Sequence, residues 1–244
     1  MIEKIKLAIK QKDGWWASIF SGKVANMFLY FIVDIKWISP NLVTTSSLLL
    51  CLVAGIFISI GSTTFLLISS ALIQLVFILD CLDGQLARYR KQSTNFGAWY
   101  DRVTDRVKDF LIYFSIALGH FNIYKDWKVW PLAMTSLFFI YLFDYYVNQD
   151  IKLEPINKSS DKNSMLNPQS SILLSKIFSF GEKIYKSVPI LQFHIGEQYL
   201  LISLALAFNQ TRLLLYLIIF LGMFYSIYWP LAKLYNRKPT SQNS

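Results

Sequence analysis

The sequence predicts an all-α integral membrane protein, with about six transmembrane helices behind an N-terminal amphipathic helix lying in the interface. Three observations predict it. Of 244 residues, 54% are hydrophobic and only 16% charged, and the mean hydropathy is +0.39, too apolar for a soluble domain of this size. Uncharged runs recur, most of them near the roughly 20 residues that cross a hydrocarbon core about 30 Å thick. The formal charge of +9 gathers on one side of those runs, as a positive-inside bias requires.

Residues 1–12 alternate Lys with Ile and Leu at helical spacing, giving one basic and one apolar face, which suits an interfacial helix. Asp13-Gly14 breaks it, and Trp15 and Trp16 are expected at headgroup depth. Residues 23–37 read as a second, short apolar helix, interrupted or flanked by Lys23, Asp34 and Lys36 and therefore only partly immersed. Ser39-Pro40-Asn41 is a turn and helix-start signal. Spans are then expected at about 42–61, 64–88, 97–119, 129–147, 196–208 and 212–234, with Gly61-Ser62-Thr63 as a tight turn between the first two. The fifth is short and is expected to begin before Gly196. Between the fourth and fifth, the polar segment 150–170 reads as a disordered loop and 172–193 as amphipathic. The organisation is thus an interfacial region over 1–38, a membrane domain over 39–238 and a polar tail over 239–244.

Charge placement agrees with an even number of spans. With a cytoplasmic N-terminus, Arg88, Arg90, Lys91, Lys152, Lys158, Lys162, Lys176, Lys183, Lys186, Lys233, Arg237 and Lys238 share that side. Only Lys125, Lys128 and Arg212 fall opposite. Both termini are then expected on the cytoplasmic side. A basic helix or RNA-type aromatic motif that would point to nucleic acid is missing from the sequence. Cys51 and Cys81 fall in or beside apolar helices and read as buried thiols, not as a disulfide.

Four aspartates stand at the end of the second span and the start of the third. The string DCLDGQLARYRKQSTNFGAWYDRVTD reads D-x2-D-G-x2-A-R-x8-G-x3-D-x3-D, with Asp80, Asp83, Asp101 and Asp105 as its carboxylates. Residues three or four apart share a helix face, so each pair points one way and the reversal over Arg88–Phe96 can bring the pairs together. A lone Asp near the middle of a bilayer costs about 2.5–3.5 kcal/mol on insertion scales. Four converging carboxylates repel strongly, and a hard divalent cation with oxygen ligands relieves this. Two such ions can clamp a diphosphate during an in-line displacement. Gly84, Ala87 and Gly97 leave clearance on these faces, and Arg88 offers a planar fork for phosphate.

The string resembles the signature of the CDP-alcohol phosphatidyltransferases, matching it at Asp80, Asp83, Gly84, Ala87, Arg88, Gly97, Asp101 and Asp105. Ser39-Pro40-Asn41-x2-Thr44 resembles the element preceding that family's first span. The resemblance covers about residues 15–120. It implies six membrane helices, a homodimer, two Mg2+ or Mn2+ ions, and displacement of CMP from a CDP-linked donor by an alcohol in phospholipid headgroup synthesis. By the same resemblance, Asp80, Asp83 and Asp101 are metal ligands, and Asp105 is the general base and also touches metal. Asn41, Thr44, Gly84, Ala87, Arg88 and Gly97 are expected around the cytidine diphosphate.

The motif leaves the alcohol open. Arg102, Arg106 and Lys108 near the aspartates, with Lys152 past the fourth span, form a candidate pocket for a phosphorylated acceptor. Arg102 and Arg106 could equally pair with carboxylates or reach to headgroups. Glu197 joins the candidate pocket as an ionisable residue at the start of the fifth span. His194 reads as a solvated interfacial side chain. The segment Lys12-Asp13-Gly14-Trp15-Trp16, with Lys23, resembles members that make inositol-type phosphodiesters. CDP-diacylglycerol with a polar or phosphorylated polyol ranks first, and a soluble CDP-alcohol donor to a lipid or polyol acceptor second. A membrane prenyltransferase is disfavoured because its aspartate pairs usually lie far apart in sequence. An ion-coupled transporter would place charge near span centres and show a repeat between its halves.

Overall fold

The structure, a computed structural model, describes residues 14–148 and 195–235. The expected helix over 1–12, the segments 150–170 and 172–193, Lys152, His194 and the 239–244 tail lie outside the described residues. Those described form a π-helical turn, Ala17–Ser21, and seven α-helices. The helices are α1 (Gly22–Ile32), α2 (Pro40–Ile60), α3 (Thr63–Tyr89), α4 (Asn95–Tyr124), α5 (Val129–Asn148), α6 (Ile195–Ala207) and α7 (Thr211–Tyr235).

Helix boundaries follow local chemistry. Pro40 opens α2, where its missing N–H costs nothing, and the Ser39 hydroxyl accepts from the Leu42 N–H at 3.2 Å. Gly61 ends α2 at φ 77°, a left-handed conformation that glycine adopts without steric cost. Thr94 caps α4, its Oγ1 accepting from the Gly97 N–H at 2.9 Å.

Each of the six expected spans is a helix. Among the described residues, three stretches are long and apolar enough to cross a membrane: α2, α3 and Thr211–Tyr228 of α7. The expectation of six is not met on that criterion, for physical reasons. The first half of α4 carries Asp101, Arg102, Asp105, Arg106, Lys108 and Asp109. α6 has 13 residues, about 20 Å at 1.5 Å per residue. The chain is nonetheless apolar enough throughout to be a membrane protein, with Leu49, Ile56, Phe138, Leu213 and Phe220 exposed on helix faces that lipid would cover.

α2 packs against α3 and α4, α3 against α6, and α5 against α7. The main core gathers Cys51, Ile73, Val76, Ile112, Ile116, Ile140, Ile202 and Ile218. A second cluster seats α1 through Ala25 and Leu29 on Val43, Ile78, Leu82 and Leu86. Arg90 secures the end of α1: its Nη2 donates to the carbonyls of Ile32, Val33 and Ile35 at 3.2, 2.9 and 2.9 Å, and its Nη1 to that of Ile38.

Trp16 is half-buried against α3. Its Nε1 donates to Gln74 Oε1 at 3.0 Å, and Gln74 Nε2 donates onward to Ser203 Oγ at 2.8 Å. An indole N–H half-buried among helices must find such a partner. The chain thereby ties its N-terminal segment, α3 and α6 together.

Candidate active site

α3 presents Asp80 and Asp83 near its C-terminal end, and α4 presents Asp101 and Asp105 near its start. The predicted convergence is present. Carboxylate oxygens of Asp80, Asp101 and Asp105 lie within 4.8 Å of one another, close enough for all three to reach one metal ion. An all-oxygen donor set of this kind fits a hard divalent cation such as Mg2+ or Mn2+.

Asp83 stands outside this group of three. It is 6% exposed, and its Oδ2 accepts from Thr44 Oγ1 at 2.5 Å. Burial leaves the carboxylate dependent on such a partner, and α2 supplies it. The expectation that Asp83 belongs with the other three is narrowed accordingly: here it faces α2.

Lys108 is the largest departure from expectation. It was placed in an acceptor pocket, yet its side chain is 0% exposed and its ammonium pairs with Asp80 Oδ1 and, at 2.8 Å, with Asp105 Oδ1. A buried ammonium is tolerated only when paired and hydrogen-bonded, and these two carboxylates do both. The signal was available locally: Asp105 and Lys108 are three apart on a helix, where opposite charges meet. Asp80 lies 28 residues away in sequence, a partner that spacing alone does not identify.

Two cavities meet at the aspartates. The larger, about 280 Å³, is lined by Asp80, Asp83, Asp101 and Asp105, together with Ser18, Gly22, Gln85, Ile195 and Gly196. The smaller, about 170 Å³, is lined by Pro40, Asn41, Thr44, Ala87, Thr94 and Gly97. Asp83, Gly84, Arg88 and Asp101 line both. Asn41, Thr44, Gly84, Ala87, Arg88 and Gly97, all expected around one ligand, therefore surround one space. The clearance at Gly84 is bounded by Arg88, whose Nη1 would lie 3.1 Å from a Cβ there.

Of the other residues expected in an acceptor pocket, the described ones, Arg102, Arg106 and Glu197, line neither cavity. Arg106 turns to Asp109 at 3.3 Å and Asp144 at 3.6 Å, with its guanidinium over the Tyr141 ring. Arg102 is exposed and donates to the Ala98 carbonyl at 3.0 Å. Glu197 is 1% exposed and packs against Gly14, where a Cβ would meet its Oε1 at 2.7 Å. Arg106 and Arg102 thus find nearer partners on the helix surface, whereas both carboxylate oxygens of Glu197 are buried without a hydrogen bond. Ser18, Gly22 and Gln85 were not foreseen: nothing in the N-terminal apolar stretch marks which small residues face a cavity, and Gln85 falls at a position that the aspartate motif leaves open.

Comparison with known proteins agrees with this arrangement. A "Bifunctional IPC transferase and DIPP synthase" of Aquifex aeolicus is 32% identical over 135 residues, covering 55% of this chain and 29% of that protein. A protein of the same name from Rubrobacter xylanophilus is 38% identical over 82 residues, 34% of this chain and 18% of that one. An uncharacterised protein of Aquifex aeolicus is 33% identical over 89 residues, 36% of this chain and 43% of its own length. The match thus spans under a third of the length of the two named relatives. The sequence profile of the CDP-alcohol phosphatidyltransferases matches residues 37–228, which include Asp80, Asp83, Asp101 and Asp105 and the cavity-lining residues of α2, α3 and α4. The chain belongs to the CDP-alcohol phosphatidyltransferase family and is a transferase of that class.

Proposed function

We propose that this protein transfers a phosphatidyl or phospho-alcohol group from a CDP-linked donor to an alcohol hydroxyl, releasing CMP, in phospholipid headgroup synthesis. One observation carries the reading: Asp80, Asp101 and Asp105 converge where two cavities of different lining meet. The smaller cavity, with Asn41, Thr44, Gly84, Ala87 and Gly97, takes the cytidine diphosphate. Arg88, lining both spaces, hydrogen-bonds phosphate through its fork. The larger cavity takes the acceptor, with Ser18, Gly22 and Gln85 facing it.

Asp80, Asp101 and Asp105 would hold Mg2+ or Mn2+, with Asp83 beside them. Bound there, divalent ions neutralise charge on the diphosphate and on the leaving group. Asp105 accepts the acceptor's hydroxyl proton as that oxygen bonds to the donor's distal phosphorus. The bridging P–O bond breaks, and its electron pair leaves with CMP. In this reading α2 to α7 all cross the membrane, the aspartates face the cytoplasm and the protein works as a homodimer.

CDP-diacylglycerol with a polar or phosphorylated polyol is the first donor–acceptor pair to test. A second, a soluble CDP-alcohol such as CDP-inositol with a lipid or polyol acceptor, is favoured by the relatives named IPC transferase and DIPP synthase. The test is CMP release by purified protein with Mn2+. CDP-diacylglycerol is offered with glycerol 3-phosphate, inositol, inositol phosphate or serine. CDP-inositol, CDP-choline and CDP-ethanolamine are offered with diacylglycerol or inositol phosphate. Acceptor-dependent release with one pair supports transfer and names the substrates; silence with every pair contradicts it.

A further inference from the structure

We propose that Gln85 selects the acceptor by accepting a hydrogen bond from a second hydroxyl, so that the larger cavity takes a polyol in preference to an alcohol with one hydroxyl. The inference rests on the transferase reading above, which seats the acceptor in that cavity. Gln85 lines the cavity and is 3% exposed. Its Nε2 donates to the Gly22 carbonyl at 3.0 Å. A carbonyl can only accept, so the amide must turn its NH2 group towards α1. Oε1 is left buried and without a hydrogen bond. A buried acceptor in that state costs about 1–3 kcal/mol, and a ligand hydroxyl in the cavity offers the missing proton.

Apart from the four aspartates, Arg88 and the Cys81 thiol, the polar side chains among the described lining residues are Ser18 and Gln85. Ser18 is exposed and its hydroxyl donates to the Gly14 carbonyl at 3.0 Å, so water completes its bonding. Oε1 of Gln85 is shielded from water. Ala17, Phe77 and Ile195 offer no side-chain hydrogen bond, which makes this oxygen the point where an extra hydroxyl is told from a hydrogen atom. A carboxamide is uncharged, and so suits a hydroxyl better than an ammonium, which pairs best with a carboxylate. Since Asp105 takes the proton of the reacting hydroxyl, the partner of Gln85 is a hydroxyl that does not react. Gln85 also falls at a position that the aspartate motif leaves open, where selectivity can be set without altering the motif.

The experiment compares kcat and KM for CMP release by the purified full chain, with Mn2+ and the donor that supports release in the panel above. Glycerol 3-phosphate is set against 3-hydroxypropyl phosphate, and inositol phosphate against its deoxy analogues, each analogue lacking one hydroxyl that does not react. The wild type is expected to favour the full polyol about tenfold or more in kcat/KM. Gln85→Met keeps the length without either hydrogen-bonding group and is expected to bring polyol and analogue within about twofold, mainly through KM. Gln85→Glu keeps an acceptor oxygen while losing the donor to Gly22, and is expected to retain the preference. A role confined to seating α1 would instead shift every acceptor alike in both variants. A wild type indifferent to the missing hydroxyl would overturn the proposal, as would Gln85→Met keeping the preference or Gln85→Glu losing it. Release with diacylglycerol alone, which carries one hydroxyl, would overturn it too. If Gln85→Met does not fold, the wild-type comparison and Gln85→Glu still decide. No CMP release with any acceptor would overturn the transferase reading itself, an outcome distinct from the others.

Discussion

Thr44 Oγ1 donates to Asp83 Oδ2 at 2.5 Å, joining α2 to α3 across 39 positions of sequence. The contact explains why a threonine four residues past the Pro40 helix start belongs with aspartates on another helix. Pro40 and the Ser39 cap set where α2 begins, and that register brings Thr44 level with Asp83.

Thr44→Val removes the donor while keeping the shape. A hydrogen bond to a buried charged group contributes about 1.5–3 kcal/mol, and Asp83 is only 6% exposed. We expect kcat to fall about tenfold or more, with Thr44→Ser restoring most of it. Equal rates for the Val and Ser variants would show that Thr44 acts by packing alone.

Arg90 holds four carbonyls at and beyond the end of α1. Lysine is a point charge without the planar fork, so Arg90→Lys is expected to lower stability by about 1–3 kcal/mol. Thermal unfolding in detergent checks this. Because α1 seats Gly22 against the larger cavity, KM for the acceptor should rise more than KM for the donor. An unchanged melting temperature would mean the four carbonyls are satisfied by other groups.

Gly119 on α4 faces the backbone of Ile58 and Ser59 at the end of α2, with the turn at Gly61 against it. A methyl group at 119 meets backbone that cannot step aside, so Gly119→Ala is expected to destabilise by about 1–3 kcal/mol. The contact lies at the far ends of α2 and α4 from the aspartates. Turnover well below the new melting temperature should therefore stay near normal, and a selective loss of kcat at full stability would contradict this separation.

Much of this architecture was legible because it is written in local pattern. The predicted span 64–88 is α3 at Thr63–Tyr89, and 212–234 is α7 at Thr211–Tyr235, since helix ends are set by Pro, Gly and capping residues close by. The aspartate pairs were legible for the same reason, each being a three- or four-residue spacing on one helix. What was not legible depends on partners distant in sequence. Arg90 read as a topological charge because its carbonyl partners lie 52 to 58 positions away. Lys108 read as a substrate contact because Asp80 was invisible from α4. Membrane crossing by α4 and α6 is harder to read, because charge interrupts the apolar run of α4 and α6 has only 13 residues.

Conversion of a CDP-linked donor, followed by 31P nuclear magnetic resonance with Mg2+ present, compares wild type with Asp105→Asn most directly. The account predicts that the wild type converts donor and alcohol to CMP and one new phosphodiester. Asp105→Asn, equally folded and inserted, should lose turnover by about a thousandfold or more. Conversion by Asp105→Asn at a rate near the wild type would contradict the central claim that this aspartate cluster carries the chemistry.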